Sequence, residues 1–238
     1  IYVKFPVVTS STVLSRTFPG IAFPTDIKSV SIVIWTTTPW TLPANQAVCL
    51  HREIDYAFVQ IGEELQIMAE KLVESVAKAC QFENYRVVGV KKGGDGFEGL
   101  ETQRPLSTGL SPILLGDFVT LDQGTGCVHI APGHGMEDYI LVLDHNARAS
   151  PGEKLEILAP VDNGGRFTEA VKEFAGQHVF KANPKIVYCH IAGYGPGPLE
   201  EDIASNPVIE ACTGVMYGHR IDGRPTRLGP SYHDQFAG

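Results

Sequence analysis

The chain has 238 residues, of which 43% are hydrophobic and 19% are charged, and its formal net charge is −8. This composition predicts a folded globular protein with a normal buried core. The acidic balance, with no stripe of lysine and arginine, argues against a protein that grips a nucleic-acid backbone along its length. We expect any contact with a nucleic acid to be limited to the tip of that nucleic acid.

Targeting and cysteine signals exclude further classes. No run of about 18 apolar residues could span a bilayer, and the N-terminal IYVKFPVV lacks the basic start and the cleavage site of a signal peptide. We therefore expect a soluble protein, cytoplasmic or organellar, with no membrane partner. The five cysteines are scattered and include no C-x-x-C pair, so the sequence encodes neither a disulfide framework nor a zinc cage.

The hydrophobic pattern predicts a mixed α/β fold. Apolar residues at helical spacing predict helices over residues 68–80 and 136–145. Short β-branched and apolar runs predict strands. In chain order these cover residues 29–35, 55–61, 85–90, 112–120, 127–131, 178–181 and 185–191. Together the elements suggest a barrel-like β core with flanking helices.

The first informative motif is WTTTPWTLPAN at residues 35–45. Each proline removes a backbone donor and fixes φ, so an irregular segment is expected where the chain leaves a strand. Such a segment offers a ligand rich in hydroxyl groups the side chains of Thr36, Thr37, Thr38, Thr41 and Asn45. The alternative is a Thr-Pro surface turn.

The second motif is GTGCVHIAPGHGMEDY at residues 124–139. Its glycines let the backbone approach a ligand closely, while two histidines and an acidic pair converge on it. Asp138 falls in the first turn of the second predicted helix, where the helix dipole favours an ionised carboxylate that could hold an ammonium group. The alternatives are an ordinary helix-terminal acid for Asp138 and a core histidine for His129.

Other site types have weaker support. His129, His134 and Asp138 fit no standard zinc spacing, so no metal is expected. Residues 94–99 match G-x-G-x-x-G, but the residues that follow do not open a convincing helix, and we interpret the match as chance. The chain contains neither a P-loop nor a G-x-S-x-G elbow.

The two motifs together resemble the editing, or connective peptide, domain of class I aminoacyl-tRNA synthetases in its isoleucyl version. The valyl and leucyl members of this family have different sequences in both motifs. The resemblance spans about the first 190 residues of a single domain over 1–238, and it is closer to bacterial or organellar members. Residues 191–238 match less well and are expected to return toward the synthetase body.

The resemblance implies hydrolysis of the ester of valyl-tRNA(Ile) within isoleucyl-tRNA synthetase. The H-I-G-H and K-M-S-K-S signatures of the ATP-using catalytic body are absent, so the chain is expected to edit without charging and to need no cofactor. Its expected partners are the 3′ end of tRNA(Ile) carrying valine and the rest of the synthetase chain. The carried-over catalytic residues are Asp138, Thr38 and Thr41, and the substrate-binding residues are Thr36, Thr37, Trp40, Asn45, His129, Gly133 and His134.

Two other functions remain open on sequence grounds. One is a non-catalytic tRNA-binding module, against which the acidic balance argues. The other is a free-standing deacylase of mischarged tRNA.

Overall fold

A computed structural model describes residues 1–179 and 181, together with residues 220, 221, 224 and 225. Contacts divide the chain into two units, Ile1–Ile186 and Val187–Gly238. The described strands of the first unit are β1 (Tyr2–Pro6), β2 (Ser29–Trp35), β3 (Ala47–Leu50), β4 (Asp55–Ile61), β5 (Glu64–Ala69), β6 (Arg86–Lys92), β7 (Glu101–Gln103), β8 (Leu110–Leu115) and β9 (Val128–Ile130).

These strands form two mixed sheets. The first has the order β1-β2-β5-β4-β6, and the second has the order β7-β8-β3-β9. The β2–β5 and β3–β8 pairs are parallel, and the other pairs are antiparallel. Each parallel pair is joined by a long connection, as parallel pairing requires.

One pair of edges links the two sheets. Val7 forms an isolated bridge with Thr102 of β7, and the N–H of Val8 donates to the carbonyl of Glu101 at 3.0 Å. Among the described residues, no ladder closes the other edges, β6 and β9. The predicted mixed α/β fold around a β core is confirmed, in the form of two sheets joined at one edge and not as a closed barrel.

Side-chain alternation places the second sheet between two apolar clusters. Val48 and Leu50 of β3 join the main core, which also contains the aromatic ring of Phe58. Ala47 and Cys49 point to the opposite face and pack with Val142. Successive residues of a strand face opposite sides, so this short strand serves both clusters.

The helices flank these sheets. They are α1 (Ser11–Thr17), α2 (Val73–Cys80) and α3 (Met136–Arg148), with short 3₁₀ helices at Pro39–Ala44, Glu70–Leu72 and Lys172–Phe174. Val142 of α3 is fully buried, which stabilises the packing of this helix by roughly 1.5–3 kcal/mol. This contact fixes the helix whose first turn carries Asp138.

Several predicted elements change their bounds. The predicted strands at 29–35 and 55–61 match β2 and β4, and the helix predicted at 136–145 extends to Arg148. The prediction of a helix from residue 68 is wrong at its start, because Met68 and Ala69 pair with β4 as the end of β5. The strand predicted at 112–120 is β8, which ends at Leu115.

The C-terminal predictions are tested only in part. At residues 178–181 the structure has a single bridge from His178 to Arg166 and no strand among the described positions. The strand predicted at 185–191 lies outside the described residues. The second unit contains the antiparallel pair β10 (Arg220–Ile221) and β11 (Arg224–Pro225). No helix of the described part of the chain is long and apolar enough to cross a membrane.

Candidate active site

The threonine-rich motif leaves β2 and turns at once into a 3₁₀ helix. The Thr36 hydroxyl oxygen accepts the N–H of Thr38 at 3.0 Å and lies 3.3 Å from the Thr38 hydroxyl. Pro39 is the first residue of the 3₁₀ helix, where its missing N–H is not needed. The motif was predicted to be irregular, and the structure instead gives it six residues of tight helix. This short helix buries Thr41, while Thr37 just before it is exposed.

Thr41 and His129 join the two motifs inside the domain. The Thr41 hydroxyl oxygen lies 2.9 Å from Nε2 of His129, and it also donates to the carbonyl of Thr38 at 2.8 Å. Both side chains are buried. Burial lowers the pKa of His129 to about 4, and the nearby His134 acts in the same direction. The imidazole of His129 is therefore neutral at physiological pH.

Asn45 is buried at the end of the 3₁₀ helix. Its amide nitrogen donates to the carbonyl of Ala47 at 2.8 Å and to the carbonyl of Ile130 at 3.5 Å. Its amide oxygen accepts the hydroxyl of Ser111 at 2.5 Å. Asn45 has no exposed surface. It therefore ties the threonine motif to β8 and β9 and contributes no surface to a ligand.

The glycine-rich start of the second motif is anchored on the first sheet. The Tyr56 hydroxyl donates to the carbonyl of Gly126 at 2.7 Å, and the N–H of Ala69 donates to the carbonyl of Thr125 at 2.8 Å. Gly126 has φ +70°, and a Cβ built there would lie 2.5 Å from the Ala69 side chain. Only glycine fits a position with both constraints.

Asp138 lies at the N-terminal end of α3, as predicted. One of its carboxylate oxygens accepts the N–H of Ala131 at 2.8 Å. Burial raises the pKa of Asp138, the hydrogen bond from Ala131 lowers it, and the neighbouring Glu137 raises it again. Burial thus opposes the predicted ionised state. An ammonium group placed beside this carboxylate would restore that state, because an opposite charge favours the ionised form.

A cleft of about 310 Å³ brings parts of both motifs together. Its lining combines hydroxyl and amide groups, backbone of the glycine-rich segment and two aromatic rings with the carboxylate of Asp138. The lining residues are Trp35, Thr36, Thr37, Phe118, Thr120, Gln123, Gly124, Thr125, Gly126, Cys127, Val128, Glu137 and Asp138. This volume is at the lower end of the range for small-molecule sites.

Thus the cleft contains only three of the predicted site residues, namely Thr36, Thr37 and Asp138. Thr41, Asn45 and His129 form a buried layer, and Thr38 bridges the two groups through Thr36 and Thr41.

The remaining predicted binding residues, Trp40, Gly133 and His134, do not line this cleft. The rings of Trp40 and His134 meet edge to face with centroids 5.1 Å apart. Burial lowers the pKa of His134. A Cβ at Gly133 would clash with the carbonyl oxygen of Leu158, so the glycine is required by the close approach of residues 158–159.

The two buried thiols of this region are poorly suited to act as nucleophiles. Burial raises the pKa of Cys49 to about 12, and it also raises the pKa of Cys127, which lines the cleft. Neither thiol would form the thiolate that a cysteine nucleophile needs. Among the described residues, no three His, Cys, Asp or Glu side chains are grouped so that they could hold a metal ion.

Comparison with known families identifies the type of domain that contains this cleft. The family model of the leucyl-tRNA synthetase editing domain matches residues 19–160, which include both motifs and every cleft residue. The chain belongs to the aminoacyl-tRNA synthetase editing-domain family. A second family model, that of CoA-transferase family III, matches residues 172–238. The prediction that residues 191–238 lead back to the synthetase body remains a prediction.

Relatives of this editing domain are isoleucine–tRNA ligases. The chain is similar to that of Lawsonia intracellularis, with 43% identity over 79% of the chain and 18% of the relative. It is similar to that of Moorella thermoacetica with 44% identity over the same shares. The chain thus spans about a fifth of the length of these relatives, and the predicted resemblance to the isoleucyl type is confirmed.

Solved editing domains share the fold. The editing domain of the cytosolic leucyl-tRNA synthetase of P. knowlesi superposes with a TM-score of 0.54 at 15% identity, covering 62% of each chain. A P. falciparum editing domain with deletions of insertions 1 and 3 superposes with a TM-score of 0.52 at 16% identity, covering 62% of this chain and 66% of that one.

Sequence reasoning missed several residues that build the editing domain's cleft. Phe118, Thr120 and Gln123 line it from the loop between β8 and β9. Ser111 and Arg104 hold Asn45 from behind, since the Arg104 guanidinium donates to the Ser111 hydroxyl at 3.1 Å. For residues 118–123, the one sequence feature that could have predicted a place in the cleft is their position next to the glycine-rich motif. Ser111 and Arg104 carry no local signal.

Proposed function

We propose that this domain hydrolyses the ester of valyl-tRNA(Ile), removing valine after it has been transferred to the tRNA. The observation that carries the proposal is the position of Asp138. Asp138 lines the same 310 Å³ cleft as Thr36 and Thr37. An ammonium group and a ribose hydroxyl could therefore bind within one small site. An aminoacyl ester of a 3′-terminal adenosine carries both groups.

The small difference in size between valine and isoleucine explains why such a site is useful. One methylene in an apolar pocket is worth only about 1–3 kcal/mol, so a synthesis site that accepts isoleucine also accepts valine too often. Isoleucyl-tRNA synthetases are the standard example of this limit, with a discrimination of about 150-fold. A second, smaller site that admits valine and excludes isoleucine corrects the error.

Each residue has a distinct role in the proposed reaction. Asp138 binds the α-ammonium group through a charge-assisted hydrogen bond. Thr36 and Thr37, with the peptide groups of the glycine-rich segment, bind the ribose of the terminal adenosine and orient the attacking water. His129 belongs to the buried layer and does not line the cleft, so we assign it the role of holding in place the wall that excludes isoleucine.

The proposed chemistry is direct attack of water on the ester carbonyl. The cysteine of the cleft, Cys127, is disfavoured as a nucleophile because burial raises its pKa. We therefore assign the rate enhancement to positioning of water and ester and to stabilisation of the developing oxyanion by hydrogen-bond donors. The ester oxygen leaves as the ribose hydroxyl, and valine leaves as the free acid.

The proposal is tested by titrating the 238-residue chain with non-hydrolysable valyl-adenosine and isoleucyl-adenosine analogues. We expect the wild type to bind the valyl analogue more tightly, and we expect Asp138→Ala to lose this binding. Glu137→Ala is the matched control, because Glu137 lines the same cleft but is exposed. Equal binding of both analogues by the wild type would contradict the size discrimination. Unchanged binding by Asp138→Ala would contradict the role of its carboxylate.

The competing function is a tRNA-binding module without hydrolysis. It predicts a steep loss of tRNA affinity with salt, because backbone binding releases counterions. The net charge of −8 favours a shallow dependence. A salt titration of tRNA binding, run beside a valyl-tRNA deacylation assay, separates the two functions.

A further inference from the structure

The hydroxyl of Thr41 has two polar neighbours but only one proton. Its oxygen lies 2.8 Å from the carbonyl oxygen of Thr38, which can only accept a hydrogen bond. The same oxygen lies 2.9 Å from Nε2 of His129, which can donate or accept according to the tautomer. A hydrogen bond between Thr41 and His129 therefore couples the position of the single hydroxyl proton to the tautomer of the histidine.

Two arrangements of protons place a hydrogen atom between the Thr41 oxygen and Nε2 of His129. If the Thr41 proton points to the Thr38 carbonyl, Nε2 of His129 carries a proton and donates it to the Thr41 oxygen, so both short contacts are hydrogen bonds. If the Thr41 proton points to Nε2, the Thr41 and Thr38 oxygens face each other at 2.8 Å without a proton. The second arrangement also places the ring proton on Nδ1, which is buried and has no partner.

An unpaired buried donor and two facing lone pairs are both costly, so the first arrangement is favoured. We propose that Thr41 is a positioning residue that holds His129 in the tautomer with its proton on Nε2, leaving Nδ1 as an unprotonated hydrogen-bond acceptor. This inference extends the proposed function and rests on it for the role of His129. His129, in the buried layer that supports the size filter, is then fixed in orientation and in polarity by a hydroxyl from the other motif.

The same geometry changes the role expected for Thr41. The resemblance carried it over as catalytic, yet Thr41 is only 5% exposed and its hydroxyl proton is used within the protein. A hydroxyl in this state does not donate to the substrate. Its effect on hydrolysis passes through the orientation of His129.

The first test is nuclear magnetic resonance of the 238-residue chain labelled with ¹⁵N-histidine. Long-range ring correlations at neutral pH report which imidazole nitrogen carries the proton, and His129→Gln assigns the signals by removing them. We expect His129 to show an unprotonated Nδ1 and a protonated Nε2. A protonated Nδ1 in the wild-type chain overturns the proposal, and this measurement requires no variant of Thr41 to fold.

Substitutions at Thr41 supply the second test. Thr41→Ser keeps the hydroxyl and should keep the wild-type pattern. Thr41→Val keeps the shape and removes the oxygen, so both ring nitrogens of His129 should shift toward values averaged between the two tautomers. An unchanged pattern in Thr41→Val shows that Thr41 does not set the tautomer.

Substitutions at His129 provide a third measurement. In His129→Gln the side-chain amide nitrogen could reach the position of Nε2 and donate to Thr41, whereas the shorter side chain of His129→Asn could not. We expect His129→Gln to hydrolyse valyl-tRNA about tenfold faster than His129→Asn, which is the rate difference that one hydrogen bond supports. Equal rates, or a faster asparagine variant, contradict the proposal.

The tautomer and the proposed function can fail separately. A wild-type chain with the expected tautomer but no hydrolysis of valyl-tRNA would refute the proposed function and leave the assignment of Thr41 standing. Active hydrolysis of valyl-tRNA by a chain in which Nδ1 of His129 is protonated would support the proposed function and refute the assignment of Thr41.

Discussion

The open wall of the cleft and the buried layer behind it come from the same two sequence motifs, but they differ in whether their residues line the cleft. In the wall, Thr37 and Glu137 are exposed, Asp138 is half-buried and Thr36 is buried, and all four line the cleft. Thr41, Asn45 and His129 are buried and bond to other parts of the protein. Within one motif, some residues can therefore bind a ligand, whereas others support the residues that bind the ligand. Wall variants should change hydrolysis at constant stability, whereas buried-layer variants should change stability as well.

The largest effect is expected from Asp138→Asn. This substitution keeps an oxygen to accept the N–H of Ala131 but removes the negative charge. We expect valyl-tRNA hydrolysis to fall roughly a hundredfold or more, since a charge-assisted hydrogen bond is worth about 1.5–3 kcal/mol and positioning adds to this. Initial deacylation rates with excess valyl-tRNA measure the loss.

Stability provides the control for this wall variant. The free energy of unfolding in urea should change by less than about 1 kcal/mol in Asp138→Asn, because the bond to Ala131 is retained. If the unfolding free energy fell by as much as the activation free energy for hydrolysis rose, Asp138 would act mainly as a structural residue, like those of the buried layer.

The next effect concerns pH and the buried layer. The folded-state pKa of His129 is about 4, below its usual 6.5, because the ring is buried. As the pH falls, the unfolded chain binds the proton before the folded chain does, so the contribution to stability is complete above pH 6.5 and is lost between pH 6.5 and 4. The shift corresponds to about 3 kcal/mol. Urea unfolding across this pH range measures it.

His129→Gln isolates this contribution, because other groups titrate in the same range. Burial also lowers the pKa of His134, and it raises the pKa of Asp138, which acts in the opposite sense on stability. Only the difference between the wild type and His129→Gln reports His129 itself. Parallel stability curves for the two chains would show that His129 is not buried in its neutral form.

A substitution at Gly133 tests whether this part of the second motif serves the packing of the domain and not the binding of a ligand. Gly133→Ala places a Cβ against the carbonyl oxygen of Leu158, closer than van der Waals contact allows, so the backbone must move. We expect a loss of about 1–3 kcal/mol in unfolding free energy, the usual range for overpacking. Gly152→Ala is the matched control, because a Cβ there meets nothing within 4 Å. Equal stability of the two variants would restore Gly133 as a candidate ligand contact.

The sequence predicted the parts of the site that depend on local pattern. The position of Asp138 in the first turn of α3 is one example, because the helical spacing and the preceding glycines lie within a few residues of it. The end of β2 before the threonine motif is another. Both depend on signals that a window of about ten residues contains.

The contacts that separate the wall from the buried layer could not be predicted in this way. Thr41 and His129 are 88 positions apart, and Tyr56 reaches Gly126 across 70 positions. Such contacts follow from the pairing of β3 with β9 and of β4 with β5, which periodicity alone does not reveal. The same reason explains the error at Met68, whose apolar side chain fits both a helix and the strand that it joins.

The smallest effect is expected from Thr37→Ala, the purest wall variant. Thr37 is exposed and lines the cleft, so its hydroxyl is available to bind the ribose or the water of the substrate. Losing one neutral hydrogen bond to a ligand costs about 1 kcal/mol, which corresponds to a rate lower by up to about tenfold. The unfolding free energy should stay within about 0.5 kcal/mol of the wild type, as it does for most surface substitutions. Thr12→Ala is the control, because Thr12 is exposed on α1 and does not line the cleft. If both variants hydrolyse valyl-tRNA at the wild-type rate, the exposed threonine contributes nothing to binding. The open wall would then consist of Asp138, Thr36 and the glycine-rich backbone alone.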